Sequence, residues 1–457
     1  MKKNKIKDAM NYIEDDLIEE AANISVKKKK ILPKILLLAA CFVLVVVGVY
    51  SISNRGISGK VEEVLAATYP KGYDFDDFDT KMEINEKNPV NEDFTDSINN
   101  FSFKTASKIL TDQDKNTLYS PISLYYALAI ATQGANGETE KELLKLLEID
   151  NKETLSKQLG NLYRVLYTDN EISKLKIANS VWLDKSLNYN QKYIDAIKKD
   201  YYASLFSADF SDKSATTKEI KKWISENTNK TLDFDSDIDD NQLMIILNTI
   251  YFYDEWTQQF DKNDTKQDTF NLSDGKKVKC DFMNRTEGNG SFYIGDGYIS
   301  SSLELKNGSS MVFVLPDENS NLKDLLSKPE NLKKMFTQQD NKIGEVVWKI
   351  PKFSYGDSIE LKEILKSLNV EKAFGNGADF SGISDEDLFI SDVKQDSHIA
   401  IDENGVEASA YTEIAMCKLA LVNERVEMNL DRPFIYGIVS PQGNLLFVGV
   451  CNNPNQQ

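Results

Sequence analysis

The residue types that most often carry out chemistry in proteins are scarce in this chain of 457 residues. It has one histidine, His398, so any Ser-His-Asp or Cys-His triad would have to use that imidazole. Four scattered cysteines and one histidine do not match the spacing of the usual zinc sites. The sequence contains no phosphate-binding loop, no dinucleotide-binding glycine fingerprint and no Gly-x-Ser-x-Gly motif. We therefore predict that the chain is not an enzyme.

The balance of charges excludes a second class of function. The chain has 54 Lys and Arg residues against 72 Asp and Glu residues, a net charge of −18. Affinity for nucleic acid comes mainly from Lys and Arg residues that displace counterions, so no nucleic-acid partner is predicted. Asp392 and Asp396, which precede His398, are interpreted as surface charges. Hydrophobic residues make up 41% of the chain, enough for a buried core. Neither a metal nor a cofactor is predicted.

An apolar segment near the N-terminus has the length of a membrane span. Residues 35–50 are sixteen residues without a charge, and residues 31–53 extend the segment to 23 residues with only Lys34 charged. About 20 apolar residues cross a bilayer as a helix. The lysines at 27–30 place the preceding residues in the cytoplasm by the positive-inside rule. A cleaved signal peptide is disfavoured because its charged leading part is normally short. We predict a cytoplasmic tail (1–30), one transmembrane helix (31–53) and an extracellular remainder.

Residues 54–91 are predicted to be an extracellular acidic linker. The stretch 73–79 (YDFDDFD) mixes acidic and aromatic residues without a helical or strand period. A flexible tether of this length spans roughly 30–40 Å by coil scaling. It would hold a globular domain clear of the membrane.

The remainder, 92–457, is predicted to be a single α+β domain. In its first half, Ser120 and Pro121 mark a helix start, and Thr139 with Glu142 forms a capping box. Strand-like segments follow, among them the nearly continuous apolar run 243–253, which is typical of a strand buried on both faces. Residues 434–440 and 445–451 predict a β-hairpin with a four-residue turn. Helices followed by many strands, without strict alternation, favour the α+β class.

Five groups of segments, in chain order, resemble those of the serpin family of serine protease inhibitors. They cover about 92–454, essentially the whole predicted domain. They are 116–123 with Ala127, Leu128 and 134–142; 247–252 with Trp256 and Phe260; 351–353 with Leu361, Leu365 and 378–383; 402–410; and 431–434 with Leu446, Phe447 and Gly449.

The resemblance implies a serpin fold, in which helices pack on large mixed β-sheets and a reactive-centre loop is exposed. It also implies inhibition by suicide trapping, which needs no catalytic residue in the inhibitor. A protease attacks the loop and is acylated to it. The cut loop then inserts as a new central strand of a sheet, and the attached protease is distorted before it can deacylate.

The loop sequence has the two-residue period that such an inserted strand requires. One alternate set is small or apolar throughout: Val406, Ala408, Ala410, Thr412, Ile414 and Met416. The other set contains the charges and the tyrosine: Glu407, Ser409, Tyr411, Glu413 and Ala415. A surface helix is the alternative interpretation, because Ala, Glu and Met are helix formers. The β-branched residues and the two-residue period favour the strand.

By resemblance, the hinge of the loop comprises Glu403, Gly405, Val406, Ala408 and Ala410. Counting forward from the hinge as in the family places the reactive bond at Leu419-Ala420. Lys418 is the alternative, and counting back from Pro433 gives Val422-Asn423 instead. Leu419 would suit chymotrypsin-, elastase- or subtilisin-like serine proteases or papain-like cysteine proteases, whereas Lys418 would suit trypsin-like enzymes.

The resemblance also assigns a sheet-opening region to Ser120, Ser123, Asn248, Trp256 and Gln395. Gln395 stands where many serpins have a histidine. His398 is not its equivalent, so it is interpreted as incidental and sheet opening is not expected to depend on pH.

Together these features predict a monomeric, membrane-anchored serpin on the surface of a bacterium, acting on extracellular proteases. The first alternative is a non-inhibitory serpin that serves as a cell-surface binding module. The second is a transmembrane protein that reports proteolysis through residues 1–30.

Overall fold

The computed structural model describes residues 61–111, 115–230, 243–337, 341–391, 393–407 and 424–456. The predicted cytoplasmic tail and transmembrane helix lie outside these ranges, as does the predicted loop from Ala408 to Asn423. None of the helices in the described ranges combines the length and the apolar character of a membrane span.

The described helices occur mainly before the long strands, as the sequence predicted. They are α1 (Phe78–Lys87), α2 (Glu92–Thr111), α3 (Pro121–Gly134), α4 (Gly137–Leu146), α5 (Lys152–Leu166), α6 (Gln191–Asp200), α7 (Lys213–Asn227), α8 (Leu322–Leu326), α9 (Pro329–Thr337) and α10 (Lys362–Ser367).

The described strands belong to two sheets. They are β1 (Val61–Leu65), β2 (Thr117–Tyr119), β3 (Thr168–Asp169), β4 (Ser173–Asp184), β5 (Ala203–Ala208), β6 (Met244–Glu255), β7 (Lys266–Asn271), β8 (Lys277–Gly295), β9 (Tyr298–Glu304), β10 (Ser310–Pro316), β11 (Lys342–Pro351), β12 (Phe353–Glu360), β13 (Lys394–Ile401), β14 (Gly405–Val406), β15 (Arg425–Asn429), β16 (Phe434–Val439) and β17 (Leu445–Cys451).

The first sheet has the order β1-β5-β4-β6-β14-β13-β12, with β3 beside β4. The second has the order β15-β11-β8-β9-β10-β16-β17-β2, with β7 beside β8. The predicted hairpin is confirmed, because β16 and β17 pair antiparallel with Tyr436 opposite Gly449. Two mixed sheets with packed helices confirm the predicted α+β class.

Helix α3 begins where the sequence predicted, at Pro121 after Ser120. It is apolar on all sides, as expected of a helix in the interior. The Ser120 side chain does not cap the helix, however; its hydroxyl donates to the backbone oxygen of Leu446 (2.8 Å). The start of the helix was therefore predicted correctly, but the hydrogen-bond partner of the Ser120 hydroxyl was not.

The predicted capping box at Thr139 and Glu142 is wrong. Helix α4 begins two residues before Thr139, and the two side chains serve a neighbouring segment instead. The Thr139 hydroxyl accepts from the Asp379 amide, and the Glu142 carboxylate accepts from the Glu371 amide. Long-range backbone donors have replaced the local ones that the motif implied.

Residues 61–91 are folded against the domain, which corrects the prediction of a flexible linker. Strand β1 adds to the edge of the first sheet by pairing with β5. The Tyr69 ring stacks on Tyr167 (6.3 Å between centroids), and Lys176 Nζ lies 4.1 Å from the Tyr69 ring centroid. Lys81 on α1 donates to the backbone oxygen of Asn307 (3.0 Å). Tyr69 thus finds a partner on the folded surface that no local period in the sequence indicates.

Candidate functional site: the hinge beside strand β6

The predicted hinge begins between two strands of the first sheet. Strand β14 is antiparallel to both neighbours, with Val406 opposite Asp254 of β6 and opposite Ile401 of β13. Gly405 faces Glu255 of β6. Val406 is 2% exposed. The first residues of the hinge are therefore already a short central strand.

Position 405 requires a glycine because there is no room for a side chain, and not because the backbone adopts an unusual conformation. A Cβ atom at this position would lie 2.2 Å from the Asp254 carbonyl oxygen and 2.8 Å from the Glu255 Cα atom. Both contacts are with backbone, which cannot move aside as a flexible side chain can. The left-handed backbone conformation in this region belongs instead to Glu407, whose φ is 54°.

The turn that leads into β14 is held by Trp256, which is fully buried. Its indole Nε1 donates to the Asp402 backbone oxygen (2.9 Å), and its amide donates to the Asn404 backbone oxygen (3.0 Å). The Asp402 carboxylate accepts from the amides of Asn404 (2.8 Å) and Gly405 (3.3 Å). Trp256 therefore lies at the hinge, away from the other residues of the predicted sheet-opening set.

Glu403 is a buried carboxylate with specific partners. It accepts from Lys352 Nζ (2.8 Å) and from the Thr265 hydroxyl (2.8 Å). Burial acts to raise its pKa, but the hydrogen bonds from Lys352, the backbone and Thr265, together with the Lys352 charge, lower the pKa overall. Sequence reasoning found Glu403 but not Lys352.

Asp254 is a buried acid at the mouth of the hinge that sequence reasoning missed. Burial raises its pKa from the usual 3.8 to about 8, although hydrogen bonds from the Asn307 and Glu255 amides and the charge of Lys81 oppose the shift. Neighbouring Glu255 has its own cation, since Lys306 Nζ lies 3.0 Å from its carboxylate. An Asp among seventy-two acidic residues gave no local signal of this environment.

The remaining predicted sheet-opening residues form neutral hydrogen bonds beneath the N-terminus of α3. Gln395 of β13 accepts from the Ser120 amide (2.7 Å) and donates to the Ser120 carbonyl oxygen (2.9 Å). The Ser123 hydroxyl donates to the side-chain oxygen of Asn248 on β6. Asn248 in turn donates to Asn179 of β4, a member that the sequence did not reveal. The start of α3 thus links both strands that flank β14.

His398 does not stand apart from the hinge. Its Nδ1 lies 2.9 Å from a Glu407 carboxylate oxygen, and its Nε2 lies 3.2 Å from the Ser354 hydroxyl. The interpretation of His398 as incidental is therefore wrong, because the histidine contacts the hinge residue Glu407.

The other predicted loop residues, Ala408, Ala410, Lys418, Leu419 and Ala420, lie outside the described residues. Over the part of the chain that the structure describes, no group of three or more His, Cys, Asp or Glu residues is placed to hold a metal ion.

The chain matches the family model described as "Serpin (serine protease inhibitor)" over residues 96–454. It is 31% identical to human alpha-1-antichymotrypsin over 360 residues, 76% of this chain and 85% of that protein. It is 30% identical to an uncharacterized serpin-like protein of Methanosarcina acetivorans, covering 79% of this chain and 89% of that protein. The structure of the thermophilic serpin tengpin in the native state aligns with a TM-score of 0.75 at 27% identity, over 86% of this chain and 100% of that chain. The chain belongs to the serpin family.

Proposed function

We propose that this serpin inhibits an extracellular protease by suicide trapping, in which the cleaved loop extends β14 through the first sheet. The observation that carries the proposal is the antiparallel register of Val406 with both β6 and β13. A strand that starts in register between two neighbours has a defined path along them.

Continuing this register assigns a partner on both β6 and β13 to loop residues 408–413. Ala408 would lie between Phe252 and Ile399, and Thr412 would lie between Asn248 and Gln395. Phe252 and Ile399 are buried core residues, so a small side chain suits the first position. The second position would bring a hydroxyl to the two polar side chains beneath α3. The alternate loop set that is small or uncharged is the one that would face the core.

The experiment combines a protease panel with a pair of loop variants. Incubation with chymotrypsin, elastase, subtilisin, papain and trypsin should yield a covalent complex that survives denaturant with at least one enzyme. Mass spectrometry of the released C-terminal fragment identifies the bond. We expect Leu419-Ala420, with cleavage after Lys418 as the alternative if trypsin is trapped.

Two neighbouring substitutions separate insertion from simple binding. Ala410→Lys places a charge on the core-facing set, so the loop should be cut without trapping. Ser409→Lys places the same charge on the outward set and should leave trapping largely intact. Equal trapping by both variants, or clean cleavage of the unsubstituted protein without a rise in thermal stability, would argue for a non-inhibitory serpin.

We also propose that residues 31–53 anchor the protein in a bacterial cell membrane, with the serpin domain outside. The support is the apolar length and the lysines before it. Proteolysis of intact cells should then remove the serpin domain while residues 1–30 stay protected. Protection of the whole chain would contradict this topology.

A further inference from the structure

His398 lies on the outer face of β13 at the point where the hinge leaves the sheet. Its neighbours on the strand, Ser397 and Ile399, are buried, whereas His398 is partly exposed. The His398 and Glu407 side chains are 22% and 10% exposed, so their contact is largely shielded from solvent.

The backbone of Glu407 shows that something holds it. Its amide donates to the Ala400 carbonyl oxygen (2.9 Å), which is the last described ladder bond of the hinge. Its φ of 54° lies in the left-handed region, which is unfavourable for a residue with a Cβ atom and persists only where the surroundings enforce it. A residue inside a β-strand has a negative φ. Glu407 must therefore change conformation before the chain beyond it can extend β14.

We propose that His398 and Glu407 form a pH-dependent latch that keeps Glu407 in this conformation and limits extension of β14. The proposal rests on the proposed function for its biological meaning, since the latch would set how readily the cleaved loop inserts. His398 and Glu407 are positioning residues in this scheme, because neither touches the protease.

The two ring nitrogens explain how the latch responds to pH. Histidine is the side chain whose charge ordinarily changes between pH 5 and 8. When protonated, His398 donates from Nδ1 to Glu407 and from Nε2 to Ser354. When neutral, Nδ1 still donates to Glu407 while Nε2 accepts from the Ser354 hydroxyl. Both states are satisfied, but only the protonated one adds the attraction between opposite charges to the hydrogen bond. The latch is therefore tighter at acidic pH.

Other charged and titratable groups near this face have partners of their own. Lys394 Nζ, on the same strand, lies 3.9 Å from Asp396. Lys352 donates to Glu403, and the Asp402 carboxylate accepts from two backbone amides.

Tyr251 faces the latch from β6. Burial raises its pKa, and the Glu407 charge raises it further. It stays neutral between pH 5 and 8. Asp254 of β6, opposite Val406, is a second titratable group at the hinge, because burial raises its pKa to about 8. Each variant below is therefore compared with the unsubstituted protein at the same pH.

Hydrogen exchange of the Glu407 amide in the uncleaved, full-length chain tests the latch without any protease. Glu407→Gln is compared with the unsubstituted protein at the same pH, which cancels the intrinsic effect of pH on exchange. We expect this variant to exchange about fivefold faster at pH 5.5 and less than about twofold faster at pH 8, as loss of a charge-assisted bond predicts.

His398→Lys provides the complementary test, because lysine stays charged at both pH values. At pH 8 it should slow exchange of the Glu407 amide relative to the unsubstituted protein. Asp274→Asn is the matched control, since it removes an exposed ion pair with Lys276 (2.7 Å) in the turn between β7 and β8 of the second sheet. It should change exchange of the Glu407 amide at neither pH.

Equal effects of Glu407→Gln at both pH values, or no slowing by His398→Lys, would overturn the latch. Either variant suffices if the other fails to fold. The covalent-complex assay tests the proposed function separately. A pH-dependent latch in a protein that traps nothing would reject only that function, whereas trapping without the exchange effect would reject only the latch.

Discussion

Two groups of side chains connect β6 with β13, one at the hinge and one beneath the N-terminus of α3. The two groups differ in their chemistry. At the hinge, the contacts involve ionisable groups: Glu403 with Lys352, the buried acid Asp254, and His398 with Glu407. Beneath α3, the contacts involve only amides and hydroxyls, such as Gln395 with Ser120. A strand entering the sheet from the hinge would meet the ionisable group first and the neutral group later. We therefore expect early insertion to depend on pH and later insertion to be independent of it.

The largest effect is expected from Gln395→Leu, which tests the neutral group. It leaves the buried Ser120 amide without a partner and removes one of two hydrogen bonds to the Ser120 carbonyl oxygen, which should destabilise the protein by about 3 kcal/mol. Chemical unfolding at pH 5, 7 and 8 measures this, and the loss should be the same at each pH. Gln191→Leu on the exposed side of α6 is the control and should have little effect. A loss that varies strongly with pH would remove the distinction between the two places.

Asp254→Asn tests the ionisable group. Because the pKa of Asp254 is raised from 3.8 to about 8, the folded protein binds an extra proton between these values. Its contribution to stability is complete below about pH 4 and is lost as the pH rises towards 8. Asp254→Asn should remove this part of the decrease in unfolding free energy with rising pH. Unfolding free energies from pH 4 to 9 provide the measurement, and an unchanged slope would contradict the assignment.

A double-mutant cycle with Glu403→Gln and Lys352→Met measures how much the ion pair at the hinge contributes to stability. The pair should contribute about 1.5 kcal/mol, as expected for a hydrogen bond to a charged group with one partner buried. The pKa of Glu403 is lowered from 4.5, so this contribution is present above that pH and is lost as the pH falls through the lower value. It therefore has the opposite pH dependence to that of Asp254. Coupling near zero at pH 7 would show that the two groups act independently.

Trp256→Phe should have the smallest effect. It keeps most of the buried ring and removes the hydrogen bond to the Asp402 oxygen, so about 1 kcal/mol is expected. Exchange of the amides at 404–406 should increase while exchange of the Ser120 amide stays unchanged. An equal increase at Ser120 would indicate that the two places open together.

Several features of the fold could be predicted because their signals are local. The proline at the first position of α3 and the apolar runs of β16 and β17 constrain nearby backbone. The linker and the capping box were mispredicted because their residues bond to distant parts of the chain. Thr139 bonds to Asp379, 240 residues away, and no local rule anticipates such a donor.

The candidate functional site also divides into residues that resemblance identified and contacts that only the folded structure revealed. Resemblance found Ser120 and Gln395, which are 275 residues apart, but not the bonds that join them. The environment of Asp254 and the pairing of Lys352 with Glu403 escaped notice because lysines and aspartates are common in this chain. Their importance comes from the burial of Asp254 and of the Glu403 carboxylate that Lys352 contacts, which is a property of the folded molecule.

The sequence by itself determined the family, the class of fold and the two-residue alternation of the loop, because these depend on residue order and on short-range periodicity. Only the tertiary structure decided that Gly405 must lack a side chain, that Asp254 holds a proton near neutral pH and that the one histidine meets the hinge. Each of these depends on which atoms from distant segments surround a residue, since close packing and low dielectric arise only when those segments come together.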